Sequence, residues 1–204
     1  LTLRLNGSTS GYTEIDAPAV AGSNTLVLPT GAGSAYQVVR NGATAGSLEF
    51  TDKIVSGTAQ ASTSGTSIDF TGIPSWVKRI TVMFNGVSTN GASNILIQTG
   101  SGSFLTSGYL GAGSNSATGG ANFTTGFGIN LYNTSAGVLH GAVTIFLLTG
   151  NTWTVSGNVS RSDTAATGTT AGVIALSGTL DRVRITTVNG TDTFDAGSIN
   201  ILYE

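Results

Sequence analysis

One histidine, ten carboxylates and no cysteine are the reactive inventory of this chain. A serine hydrolase needs Ser, His and an acid, with the serine on a strand-to-helix elbow, and no Gly-x-Ser-x-Gly occurs. His140 is the sole possible base. It opens the most apolar stretch beside Gly141, where a packed or surface strand histidine is expected rather than a catalytic one. Glycosidic bond cleavage asks for paired acids, and the C-terminal part supplies Asp163, Asp181, Asp192 and Asp195. Asp192 and Asp195 lie in Asn189-Gly190-Thr191-Asp192-Thr193-Phe194-Asp195, which could offer oxygens to a hard cation but lacks the alternating acids and terminal Glu of a calcium hand. Asx-turn hydrogen bonding is the expectation there. Asp181, close to Arg182 and Arg184, reads as a salt-bridge cluster on an outer sheet face or between protomers. Without thiols, and with a single imidazole, neither thiolate nor His-rich metal sites can form. We expect no catalytic residues, no metal and no cofactor.

Aromatic side chains are the better binding candidates, because sugars stack their apolar faces on them. Phe104, Tyr109, Phe123, Phe127, Tyr132 and Trp153 lie in the C-terminal part. Strand parity groups Phe127, Ile129 and Leu131, leaving Asn130 and Tyr132 on the opposite face. Tyr109 and Phe123 flank the glycine-rich stretch from Gly111 to Gly120, read as a long loop. Tyr109, Phe123 and Tyr132 are therefore the exposed binding candidates.

The elements that must carry these groups are strands. Only 9% of the 204 residues are charged, against about a quarter in an ordinary domain, yet the mean hydropathy is +0.22. Such a chain folds rather than staying disordered. Eight Lys plus Arg and a net charge of -2 give no basic field for nucleic acid. No apolar run reaches the roughly 20 residues of a membrane-spanning helix, so no membrane insertion is expected. The N-terminus shows no signal peptide pattern, and the chain reads as cut from something longer. Thr, Val, Ile and Ser dominate between Gly and Asn punctuation, as in short strands joined by turns. Ile80, Val82 and Phe84 alternate with Arg79, Thr81, Met83 and Asn85, and Asn85-Gly86 then offers a turn. Residues 138–149 and 152–160 form a hairpin with Trp153, Val155 and Val159 on one side. Residues 180–188 pair with a return strand through Ile199, Ile201 and Tyr203.

This pattern implies an all-β chain: an antiparallel β-sandwich or jelly-roll-like C-terminal head, with a short N-terminal β shaft or connecting segment. The expected divisions are an N-terminal segment over 1–55, a small-residue linker over 56–67 and the head over 68–204. The first segment is too short to own a core and needs neighbouring chains.

Two stretches resemble bacteriophage tail-fibre proteins. Gly7-Ser8-Thr9-Ser10-Gly11-Tyr12-Thr13, Ala17-Pro18 and Ala21-Gly22-Ser23-Asn24-Thr25-Leu26-Val27-Leu28-Pro29-Thr30 look like a segment of fibre and other virion structural proteins. Thr66-Ser67-Ile68-Asp69-Phe70-Thr71-Gly72-Ile73-Pro74-Ser75-Trp76, with Ser177-Gly178-Thr179-Leu180-Asp181-Arg182-Val183-Arg184-Ile185-Thr186 and the terminal Gly197-Ser198-Ile199-Asn200-Ile201-Leu202-Tyr203-Glu204, is similar to a C-terminal domain of fibre-like proteins. The resemblance implies a non-enzymatic, homotrimeric virion appendage outside the cell. Its N-terminus would join other tail or baseplate proteins, and its head would bind a bacterial surface glycan or protein. A decoration or connecting fibre without receptor contact is the alternative within that class, and a capsular polysaccharide depolymerase the alternative outside it.

Overall fold

The computed structural model describes residues 3–16, 18–20, 22–34, 37–51, 54–116, 119–129 and 133–204. They are all-β, with antiparallel sheets and no helix among them. The chain divides into two units, Leu1–Lys53 and Ile54–Glu204.

The N-terminal unit holds two small ribbons, β1 (Leu3–Asn6) with β2 (Tyr12–Ile15), and β3 (Val38–Asn41) with β4 (Leu48–Thr51). No described residue of this unit is buried. In the first ribbon Leu3 and Ile15 face each other, with Leu5 beside them, and all three are more than half exposed. On its other face Arg4 pairs with Glu14 and lies 4.1 Å over the Tyr12 ring. Alternation made the strands, but it found nothing to bury.

The second unit is a sandwich. Its strands are β5 (Val55–Ser56), β6 (Gln60–Ala61), β7 (Ile68–Thr71), β8 (Arg79–Thr89), β9 (Ile95–Ser101), β10 (Ser103–Phe104), β11 (Leu110–Asn115), β12 (Gly119–Phe123), β13 (Phe127–Ile129), β14 (Leu139–Thr149), β15 (Thr152–Arg161), β16 (Ala166–Ala175), β17 (Arg182–Thr187) and β18 (Phe194–Tyr203). One sheet has nine strands, running β12-β11-β16-β15-β14-β8-β18-β5 with β6 also on β18. The other has five, running β10-β9-β17-β7 with β13 also on β9. Ile80, Val82, Val143, Ile145 and Trp153 from the larger sheet meet Ile95, Ile97, Phe127, Val183 and Ile185 from the smaller in one apolar core. The alternation read over 78–86 and the hairpin of 138–160 are both present.

Four expectations are corrected. The segment 56–67 is no free linker: β5 and β6 pair with β18, and the buried Ser62 donates its Oγ to the Ala196 carbonyl at 2.8 Å. Residues 111–115 and 119–120 lie in β11 and β12, paired antiparallel at the sheet's edge rather than in a long loop, because their Gly and Ala content suits close strand packing as well as it suits turns. Strands β17 and β18 do not pair, since the chain crosses between sheets after Thr187. Asn85-Gly86 does not end a strand either. Gly86 (φ +63) sits inside β8 opposite Gly197 (φ +91) of β18, where the register shifts. Both need the left-handed region, and a Cβ on Gly197 would strike the Gly86 backbone. His140 completes this bulge: the Gly86 N–H donates to its Nδ1 at 3.2 Å, so the proton sits on Nε2, 3.1 Å from the Ser162 hydroxyl.

Candidate functional site

Polar chemistry in the second unit concentrates on the outer face of the five-stranded sheet. In β17 the period of two sends Val183 and Ile185 inwards and Arg182, Arg184 and Thr186 outwards. Register then lines up Asp69 of β7, Arg184 of β17 and Gln98 of β9 in one row. Arg184 grips Asp69 with a fork of two hydrogen bonds, Nε to Oδ1 at 2.8 Å and Nη2 to Oδ2 at 2.7 Å. Arg182 does the same to Asp181, at 2.8 and 3.1 Å, and Asp181 also accepts the Gly102 N–H at 3.1 Å. The Arg184 guanidinium stands 4.1 Å above the Phe104 ring and that of Arg182 5.5 Å from it, cation–π distances both. The Arg182 hydrogen bonds hold the Asp181 carboxyl below the usual range. Pairing with Asp181 and Asp69 respectively raises Arg182 and Arg184. Two arginines set against two aspartates give the cluster formal charges that balance to zero.

Beside it runs an open groove of about 300 Å³, lined by Thr66, Ser67, Gln98, Thr106, Thr125, Arg184, Thr186 and Asn189 among others. Gln98 is buried and donates to the Thr125 carbonyl at 2.9 Å, and Thr186 donates to the Thr66 carbonyl at 2.7 Å. These two bonds hold the groove's walls, while Thr106 and Thr125 stay exposed on its rim. A groove of hydroxyls and amides with one neutralised guanidinium matches the hydrogen-bonding surface of a polyhydroxylated ligand.

The aromatic residues expected to be exposed are placed differently. Tyr109 is wholly buried: its hydroxyl takes the Thr99 N–H at 2.8 Å and lies 3.2 and 3.1 Å from the Thr99 and Leu105 carbonyls, and burial raises its pKa. Phe123 is also buried, its ring passing over the Gly128 backbone. Flanking glycines were read as a loop, whereas Phe123 ends the paired strand β12 and Tyr109, just before β11, is held inward through its hydroxyl. Together they border a shallow groove of about 540 Å³ floored by Gly111, Ala112, Ala171 and Gly172 and rimmed by Leu110, Asn122 and Thr124. Tyr132 lies outside the described residues. The salt bridge expected between Asp181 and the neighbouring arginines on an outer face is present with Arg182, while the contacts of Arg184 with Asp69 and Phe104 were missed.

Each acid considered for glycoside chemistry has a partner. Asp163 binds Arg161, whose side chain is buried, and accepts the Val138 N–H at 3.0 Å, and the Arg161 bonds lower its pKa to about 2. Asp192 takes the Ser93 N–H at 3.0 Å and the Asn189 amide at 2.6 Å in the turn geometry expected of this loop. Asp195 accepts from Ser88. Among the described residues no three His, Cys, Asp or Glu side chains gather as a metal-ion cluster.

No protein-family model matches the chain, and no curated protein and no solved structure is detectably similar to it.

Proposed function

We propose that this chain is part of a bacteriophage tail fibre, a non-enzymatic virion appendage whose C-terminal β-sandwich binds the bacterial surface during adsorption. The observation that carries this reading is the polar groove on the five-stranded sheet, an open, uncharged-overall surface on a rigid scaffold rather than an enclosed pocket with free acids. Attachment asks for many weak contacts to a repeating polar surface, and such a groove provides them. A surface glycan is the ligand its hydroxyls and amides suit. The two motif resemblances point the same way, as does an N-terminal unit in which no described residue is buried. That unit gains a core only when other chains supply one, so the working form is a homotrimer joined through its N-terminus to other tail proteins.

The test is binding of the purified full chain to host cells and competition with phage adsorption. Thr125→Trp, which fills the groove from its exposed rim, is expected to abolish cell binding while leaving the circular dichroism spectrum unchanged. Equal binding by wild type and T125W removes the groove from the mechanism. No binding and no competition by wild type removes the attachment role.

A further inference from the structure

The outer face of the nine-stranded sheet has a different chemistry. From the Gly86–Gly197 bulge to the Arg79 rim, register brings rows of outward side chains together across the strands. One row reads Ala112, Ala171, Ser156, Thr144, Thr81 and Leu202. The next towards the bulge reads Thr169, Asn158, Ala142, Met83 and Asn200. The row at the other end reads Leu110, Val173, Thr154, Phe146 and Arg79. Arg79, paired with Glu204 at the rim, is the single charged side chain in these rows. Leu110 and Leu148 are exposed by 72% and 65%, and Phe146 by 40%, all at the same end.

We infer that this face is the surface through which a second copy of this chain packs in the assembled fibre. The inference rests on the homotrimer proposed above and names the part of the head that faces the neighbouring copies. Strands β8, β14, β15, β16 and β18 have ten or eleven residues each. From Arg79 to Gly86 the face takes about eight residues of each of these strands, and β11 adds a sixth; at about 4.8 Å between strands and about 3.3 Å per residue this spans on the order of 750 Å². That matches the roughly 800 Å² each partner contributes to a stable interface. Complementarity selects the occupant. A charged partner would strip water from its ions against a surface whose only charges are Arg79 and Glu204, already paired at the rim, whereas the same face of neighbouring copies converging on a three-fold axis brings no other ion to desolvate. Small Ala, Ser and Thr side chains let two sheets approach closely, and the Leu110–Phe146–Leu148 end supplies apolar area that water otherwise covers.

The chain has no cysteine, which makes single thiols clean reporters. In the full-length protein, Ser156→Cys at the centre of the face should react with a soluble thiol reagent about a hundredfold more slowly than Thr125→Cys on the polar groove, and equally fast after unfolding. Separately, Ala142→Arg should lower the mass in solution from about three chains to one, or weaken association about a hundredfold, by burying an uncompensated charge. Thr125→Arg should leave the mass unchanged. Equal labelling of the two thiols, or an A142R protein that keeps the wild-type mass, overturns the face while leaving the homotrimer standing. A wild-type mass of one chain at every concentration overturns both.

Discussion

The two outer faces of the head are built by the same alternation of side chains and carry opposite chemistries. On the five-stranded sheet, Asp69, Arg184, Asp181 and Arg182 cancel one another around Phe104, and a polar groove opens beside them. On the nine-stranded sheet the outward rows are Ala, Ser, Thr, Asn and a few large apolar residues, with one ion pair at the rim. A sequence that is 9% charged did not dilute its charges evenly. On the function and the packing proposed above, the polar face would meet a hydrated ligand and the neutral face a second copy of the chain.

The largest effect should come from removing the support both faces share. Phe127 belongs to the five-stranded sheet through its pairing with Ile97, it is fully buried, and it lies against the Gly111 and Gly172 backbones of the nine-stranded sheet. Its ring also meets Tyr109 edge-on at 4.9 Å. Phe127→Ala should cost about 4 kcal/mol. Denaturant unfolding followed by Trp fluorescence checks it, and loss of both thiol-labelling contrast and cell binding should accompany the drop. A variant that loses only one of the two would show that the faces rest on separate cores.

Next in size is the bulge that ends the neutral face. Gly197→Ala places a Cβ against the Gly86 backbone at a φ of +91, and should cost about 2 kcal/mol. The melting temperature reads this directly, and Gly197→Ala should perturb self-association more than binding to the polar groove. This bulge also marks how far sequence reading reaches. Alternation over Ile80, Val82 and Phe84 told which side chains enter the core, because burial and period two are one phenomenon. Asn-Gly tells only that a left-handed backbone is wanted, and a turn and a bulge want it alike, so Asn85-Gly86 was misread. Likewise, period two says that β17 and β18 each have a buried side, but nothing local says that they serve different sheets. Tyr109 and Phe123 were placed outside because glycines flank them. Those glycines instead lie in β11 and β12, and β11 is held by β16, more than 45 residues away in sequence, a distance no local pattern spans.

Tyr109 gives a smaller and sharper test. Its hydroxyl ties the entry to β11, in the larger sheet, to Thr99 and Leu105 beside the smaller one. Tyr109→Phe keeps the ring packed on Phe127 and leaves the buried Thr99 N–H without this acceptor, which should cost about 1.5 kcal/mol. Chemical denaturation measures it. Cell binding at a temperature well below the melting point should be unaffected, because the hydroxyl points into the core and not into either groove. A binding defect without a stability loss would return Tyr109 to the recognition surface.

The smallest effect separates the faces by pH. The carboxyls of Asp163 and Asp181 sit below their unfolded value because Arg161 and Arg182 bind the charged forms, with Asp163 at about 2. Folding therefore gains from these pairs above about pH 4, the range in which the unfolded carboxyls are already ionised, and loses that gain as pH falls towards 2. Both carboxylates are partly open to solvent, so each pair is worth about 1 kcal/mol or less after screening. Thermal unfolding between pH 5 and 2 should show a shallow fall in melting temperature that Asp181→Asn flattens in part, and that added salt diminishes. Over the same range, labelling of Ser156→Cys by an acid-active pyridyl disulfide should stay slow relative to Thr125→Cys at the same pH for as long as the head remains folded, since the rows around it hold no carboxylate until Glu204 at the rim. If instead Ser156→Cys labels as fast as Thr125→Cys by pH 4, well above the pKa of Asp163, a titrating group governs the neutral face and the division between the two surfaces fails.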